Sequence, residues 1–211
     1  MTIPVIIIGA GGHARVLISS LNALQREIIG ILHPDATLIG QSIAGIRIIG
    51  NDDKVLEYAP DSIELVNGIG SISSTEKRKE IYMKFKNDGY SFAQVIHPSE
   101  TIMNDVQLGE GVQVMAGAII QTGCVIGDNA IVNTGAIIEH DSIIGAHAHV
   151  APGAVLSGGV QIGEMAHIGT AATVIQGIKI GAGSIIGAGA VVIKDVPPGK
   201  KAIGNPARVM E

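Results

Sequence analysis

From Leu108 onward every sixth residue is aliphatic: Leu108, Val114, Ile120, Ile126, Val132, Ile138, Ile144, Val150, Leu156, Ile162, Ile168, Val174, Ile180, Ile186 and Val192. Two positions before each stands a small or aliphatic residue, among them Val106, Val112, Ala118, Cys124, Ala130, Ala136, Ser142 and Ala190, and glycine often follows, as at Gly109, Gly127, Gly145 and Gly163. A six-residue period matches neither an α-helix nor a plain alternating strand. It fits short strands joined by tight corners, with two side chains per strand pointing inward. Each rung buries the edge of the next, so the pattern predicts a hexapeptide β-helix with no inserted loop. The pattern itself does not give the hand, because parallel crossovers are normally right-handed.

The first 97 residues have a different grammar. "VIIIG" (5–9) predicts a buried parallel-type strand, followed by glycine-rich "AGGHA" and a helix to about Gln25. "IIGIL" (28–32) and "IELVNGIG" (63–70) predict further strands, and "STEKRKEIYMKF" (74–85) a helix with Ser74 as a possible cap. Strands alternating with helices predict a small α/β domain over residues 1–97 with a parallel sheet. The β-helix then occupies 98–193, with the division near His97-Pro98, and 194–211 form a C-terminal tail.

Composition narrows the classes. The chain is 46% hydrophobic but only 2% aromatic, with no Trp and 29 glycines, which suits a thin, regular core with many turns. A net charge of −5 argues against a general nucleic-acid binder. The start lacks the basic segment and apolar run of a signal peptide, and no apolar run reaches membrane-spanning length. Cys124 is the single cysteine, at an inward position of the repeat, so it reads as core and not as a nucleophile. A soluble, cytoplasmic protein without membrane contact is expected.

Gly9, Gly11 and Ala14 fit G-x-G-x-x-A between a strand and a helix, and Asp35 follows about twenty residues later at the end of the second strand. Such a loop cradles a pyrophosphate on a helix N-terminus, and the acidic residue holds a ribose hydroxyl. Because a β-helix stands where a second mononucleotide half would be, a nucleotide-linked sugar is favoured over NAD. A tight turn with no ligand is the alternative, and His13 either faces the ligand or caps that turn.

Three of the seven histidines fall within ten positions in "AIIEHDSIIGAHAHVAPG". In the repeat frame His140 sits on a corner and His149 points outward from a flat face. They lie nine residues apart, which in a triangular coil of three six-residue rungs is half a turn and points them to opposite sides of the prism. If both serve one site, that site lies between chains, and three-fold packing of prisms supplies three such clefts. His140 beside Asp141 is the stronger candidate: a carboxylate can fix the imidazole tautomer, and neutral histidine is the usual general base near pH 7. A chance pair on a solvated turn is the alternative. His147, on a corner, and His167, stacked above His149, read as ordinary surface histidines. His149 with His167 falls short of the three protein ligands of a catalytic zinc, so no metal is expected.

The segments "IIIGAGGHARV", "VNTGAIIEHDSIIGAHAHVAPGAVLSGGVQIG", "GAGAVVIKDVPPG" and "IGNPARVM" resemble the sialic-acid/bacillosamine/perosamine acetyltransferase family over nearly the whole chain. The resemblance implies a left-handed β-helix with 18 residues per triangular coil, so that the fifteen repeats make five coils, and a trimeric, acetyl-CoA-dependent enzyme of bacterial glycan biosynthesis. Its N-terminal domain would bind the sugar nucleotide and its β-helix would bind CoA. It implies His140 as catalytic base and Asp141 as its supporting acid. His149 matches the histidine near the acetyl thioester, there to steady the oxyanion together with backbone amides, and Asn133 matches an asparagine close to the site. Gly11, Gly12, His13, Asp35 and Gly70 match contacts to the sugar nucleotide, and Gly158, Thr170 and Ala188 match contacts to acetyl-CoA. Two departures stand out: His33 replaces a frequent acidic residue, and Asp141 replaces the usual Glu. The expected reaction is N-acetylation of a nucleotide-linked amino sugar in a homotrimer. O-acetylation of a sialic-acid-type sugar is the alternative, and a γ-type carbonic anhydrase or a purely structural β-helix is less favoured. Lys194, Lys200, Lys201 and Arg208 near the chain's end either meet CoA phosphates or form a solvated basic tail.

Overall fold

The computed structural model describes residues 2–71 and 75–210; Ser74, read as a helix cap, lies outside them. The N-terminal domain runs β1 (Val5–Ile8), α1 (Gly12–Ala23), β2 (Ile28–Leu32), β3 (Ser42–Ile43), β4 (Ile46–Gly50), β5 (Glu64–Asn67) and α2 (Glu76–Asn87). The sheet order is β3-β4-β2-β1-β5, parallel except for the β3–β4 hairpin. All four residues of β1 are buried because helices cover both faces. Val5 and Ile7 pack with Ala14, Leu17, Ile18 and Leu21 of α1, while Ile6 and Ile8 pack with Tyr82 and Phe85 of α2.

The rest of the chain is a three-sided parallel β-helix. Each two-residue rung pairs with the rung 18 residues on, as Ile119–Ile120 does with Ile137–Ile138. The second residue of each rung points inward, and these aliphatics with the small residues between them form the core. Cys124 is fully buried within it, and burial pushes its thiol up. The corners require a left-handed backbone. Glycine supplies it at most of them, but Asp141 (φ 59°) and His147 (φ 61°) adopt it with a side chain.

The β-helix begins earlier than the His97-Pro98 division. Val95–Ile96 already pairs with Gln113–Val114, and Thr101–Ile102 with Ile119–Ile120. At the other end Lys201–Ile203 pairs with Ile185–Ile186 and folds back on Arg208–Val209. The tail therefore closes the last coil, with Lys194, Lys200, Lys201 and Arg208 exposed on it.

The N-terminal domain lies on one of the three faces. Outward positions on that face are buried: Gln113 and Ile131 fully, His149 to 6% exposure and His167 to 9%. This corrects the reading of His147 and His167 as surface histidines. His147 is also buried, edge-on to Tyr82 of α2.

Candidate active site

A cavity of about 630 Å³ opens at the C-terminal ends of β1 and β5. The chain leaves these neighbouring strands for opposite sides of the sheet, the switch point at which open α/β sheets bind ligands. Gly9–His13 and Gly68–Ser71 form one wall, with His33 and Asp52 at the side, while Asn133, Thr134, His149 and Pro152 of the β-helix form the other. Gly11 is the N-cap of α1 and makes no side-chain cap. A Cβ built on Gly11 or Gly12 meets nothing within 4 Å, so the space beside these amides is open cleft. Gly70 lies against His13, where a Cβ would come within 3.1 Å. Asp35 is not among the lining residues. It is exposed, and its carboxylate accepts from the Thr37 N–H (2.9 Å) and hydroxyl (2.7 Å), which holds it below the usual carboxylate range.

His13 lines the cavity and also ties the domains together. Gln113 Nε2 donates to the Asn67 carbonyl (2.9 Å), so its Oε1 must accept from His13 Nε2–H (2.7 Å). Burial and nearby Arg78 lower His13 to about 4, so it is neutral at pH 7. Arg78 is itself 1% exposed and donates to the carbonyls of Asn67, Ile69 and Asn129, fixing the Gly68–Ser71 loop on the β-helix. Burial lowers its pKa to about 9. Gln113, Arg78, Asp52 and Ser71 were not singled out from sequence. Arg78 carried a signal, lying on the helical face of Ile81, Tyr82 and Phe85.

His149 meets both walls. Its Nδ1 lies 2.6 Å from Ser71 Oγ and its Nε2 lies 3.0 Å from Asn133 Nδ2, while Ser71 Oγ reaches His167 Nδ1 at 3.2 Å. Burial first, then His167, His13 and Arg78, lower His149 to about 3. Among the described residues no group of three or more His, Cys, Asp or Glu is placed to hold a metal.

His140 stands on a different corner, between the faces carrying Ile137–Ile138 and Ile143–Ile144. That corner is opposite the face carrying His149. The left-handed turn at Asp141 swings its carboxylate back, and His140 Nδ1 lies 2.9 Å from Asp141 Oδ2. Both side chains are well exposed, at 50% and 74%. Gly158 lies one coil on, and a Cβ there would fall 2.4 Å from His140 Nε2. Its N–H has no hydrogen-bond partner among the described residues, so a donor without an acceptor sits beside the imidazole. Thr170 and Ala188 are exposed and continue the corner column that starts at Thr134 and Pro152 in the cavity wall. One chain thus keeps His140 and Gly158 apart from the cavity and the Thr170–Ala188 column.

The buried histidines make stability depend on pH. His13 and His149 have folded values near 4 and 3, below the unfolded value of 6.5. Below pH 6.5 the unfolded chain takes up protons that the folded chain refuses, so stability is complete above that pH and falls toward 4. Two such groups should lose about 3 kcal/mol between pH 7.5 and 5.5. Urea unfolding at the two pH values measures this, and an unchanged midpoint would contradict it.

Comparison with known proteins agrees with this architecture. Residues 4–85 match the PglD N-terminal domain model, and residues 105–139 and 123–158 match the bacterial transferase hexapeptide model. A variant of perosamine N-acetyltransferase from Caulobacter crescentus, solved with CoA and GDP-perosamine, is 39% identical, with 99% of this chain and 97% of that one covered and a TM-score of 0.90. The acetyltransferase domain of PglB from Neisseria gonorrhoeae, solved with acetyl coenzyme A, is 34% identical over 100% of both chains, with a TM-score of 0.91. WeeI from Acinetobacter baumannii is 26% identical over 99% of this chain and 100% of that one, with a TM-score of 0.85. No match was found among curated proteins. With its Rossmann-like domain followed by a left-handed hexapeptide β-helix, the chain belongs to the sugar acetyltransferase family of the bacillosamine and perosamine enzymes.

Proposed function

We propose that this chain is an acetyl-CoA-dependent N-acetyltransferase acting on the amino group of a nucleotide-linked sugar in bacterial glycan biosynthesis. It works in the cytoplasm as a homotrimer with active sites between subunits. One observation carries the reading: a single cavity runs from the open amides of Gly11 and Gly12 to His149 and Asn133, while the His140–Asp141 pair lies on the opposite corner. A nucleotide diphosphate fits amides at the start of α1. The sugar then extends toward the β-helix, where the neighbouring subunit brings its own His140. Exposed Val125 (36%) and Ile143 (47%) stack on the face beside His140, which favours a second copy of the chain as the cover. The relatives solved with CoA and with GDP-perosamine support both ligand classes.

The chemistry is direct transfer. The sugar amine attacks the thioester carbon, and His140, oriented by Asp141, accepts the proton that the nitrogen loses. The tetrahedral oxyanion forms where the free Gly158 N–H can donate to it. Collapse breaks the C–S bond, CoA leaves as thiolate and takes up a proton, and the N-acetyl sugar remains. Cys124, sealed in the core, takes no part. Thr170, Ala188 and the corner column below them would carry the CoA chain.

The test is acetyl transfer from acetyl-CoA to a panel of nucleotide-linked amino sugars and to sialic acid, with products read by NMR. An amide product on a nucleotide sugar is expected. An O-acetyl ester, or transfer only to free sugars, would overturn the assignment.

A further inference from the structure

The hydrogen bonds around His149 run in one direction. Asn133 Oδ1 accepts from the Thr134 backbone N–H at 2.8 Å, which turns the amide nitrogen toward His149 Nε2 at 3.0 Å. An amide nitrogen only donates, so Nε2 must carry the lone pair and the ring proton must sit on Nδ1. Nδ1–H then donates to Ser71 Oγ at 2.6 Å, which leaves the Ser71 hydroxyl proton for His167 Nδ1 at 3.2 Å. Ser71 is 7% exposed and lies on the loop that lines the nucleotide side of the cavity, so the N-terminal domain supplies the acceptor that holds the ring of a β-helix residue in place.

We infer that His149 acts as a hydrogen-bond acceptor at Nε2, set in that role by the Asn133 amide and held in place by Ser71 at Nδ1, so that the group offered to the substrates is the Asn133 amide. Asn133 Nδ2 carries two hydrogens. One is held by His149, and the second is the donor presented in the cavity to an oxygen of the bound ligands. Ser71 and His149 are positioning residues acting through Asn133. This replaces the expectation that His149 itself donates to the oxyanion. His149 is neutral at pH 7, in keeping with an acceptor role. The inference rests on the proposed site, but its first test needs no substrate.

Nitrogen-15 NMR of the histidine rings distinguishes the tautomers in the intact protein. His149 should show an unprotonated Nε2 and a protonated Nδ1 between pH 6 and 8; the opposite pattern would overturn the inference. Ser71→Ala should leave Nε2 unprotonated, because Asn133 still donates to it, while the Nδ1–H resonance shifts as it loses its acceptor; a proton moved to Nε2 would show that Asn133 does not set the ring. Asn133→Asp keeps the shape but removes the donor, so His149 should move its proton to Nε2 to meet the carboxylate, and kcat should fall about 10²-fold. Wild-type turnover in folded Asn133→Asp, or an unmoved tautomer, counts against the inference. If the wild type acetylates no nucleotide sugar, the proposed function fails while the NMR pattern still decides this one.

Discussion

His140→Ala should lower acetyl transfer about 10²- to 10⁴-fold, the usual worth of a positioned general base, and leave folding unaffected. The side chain is half exposed, and its side-chain hydrogen-bond partner among the described residues is Asp141, so truncation opens no core cavity. Gly158→Ala offers an independent route to the same loss. The new methyl would sit 2.4 Å from His140 Nε2 in the present geometry, and the exposed imidazole can swing away without disturbing the coil. A folded Gly158→Ala protein should therefore bind both ligands yet turn over slowly. Single-turnover rates with purified variants decide the matter: near-wild-type rates in His140→Ala would remove it from the mechanism, and full activity in Gly158→Ala would show that the ring position is unimportant.

The second large effect is on binding. Gly11→Val should weaken nucleotide-sugar affinity at least 10²-fold, about 2.7 kcal/mol, with acetyl-CoA affinity nearly unchanged. A Cβ on Gly11 meets no protein atom within 4 Å, and its backbone (φ −84°, ψ −169°) is one that any residue adopts. The fold should accept the valine, while its two methyl groups fill the space where a pyrophosphate would approach the amides. Calorimetry with each ligand separates the outcomes. Equal loss of CoA affinity would contradict the division of labour between domains, and tight NAD binding by the wild type would contradict the nucleotide-sugar reading.

Much of the architecture was legible because the repeat is so regular. The aliphatic frame from Leu108 to Val192 maps onto the rungs, and Ile96 and Ile102 fit the same frame upstream. The β3–β4 hairpin was not legible. Its turn residues Ala44 and Gly45 have φ of 49° and 83°, but "IAGIRIIG" lacks the Asn-Gly or Asp-Gly that announces such a turn. At the site, corner geometry made the His140–Asp141 contact readable from spacing. The burial of His147, His149 and His167 was not readable, because it comes from a second domain covering that face, and periodicity in one domain carries no record of what packs on it. Ser71 and Gln113 escaped notice for the same reason, since each matters only through a partner in the other domain.

In the proposed enzyme one active site takes His140 from one subunit and His149 from the next. Mixing His140→Ala chains with His149→Ala chains, each strongly impaired alone, tests it. After equal mixing and full exchange, three-quarters of trimers contain both chains and each holds one intact cleft of three, so roughly a quarter of wild-type activity should return. No recovery, with subunit exchange demonstrated by mass spectrometry, would contradict a shared site.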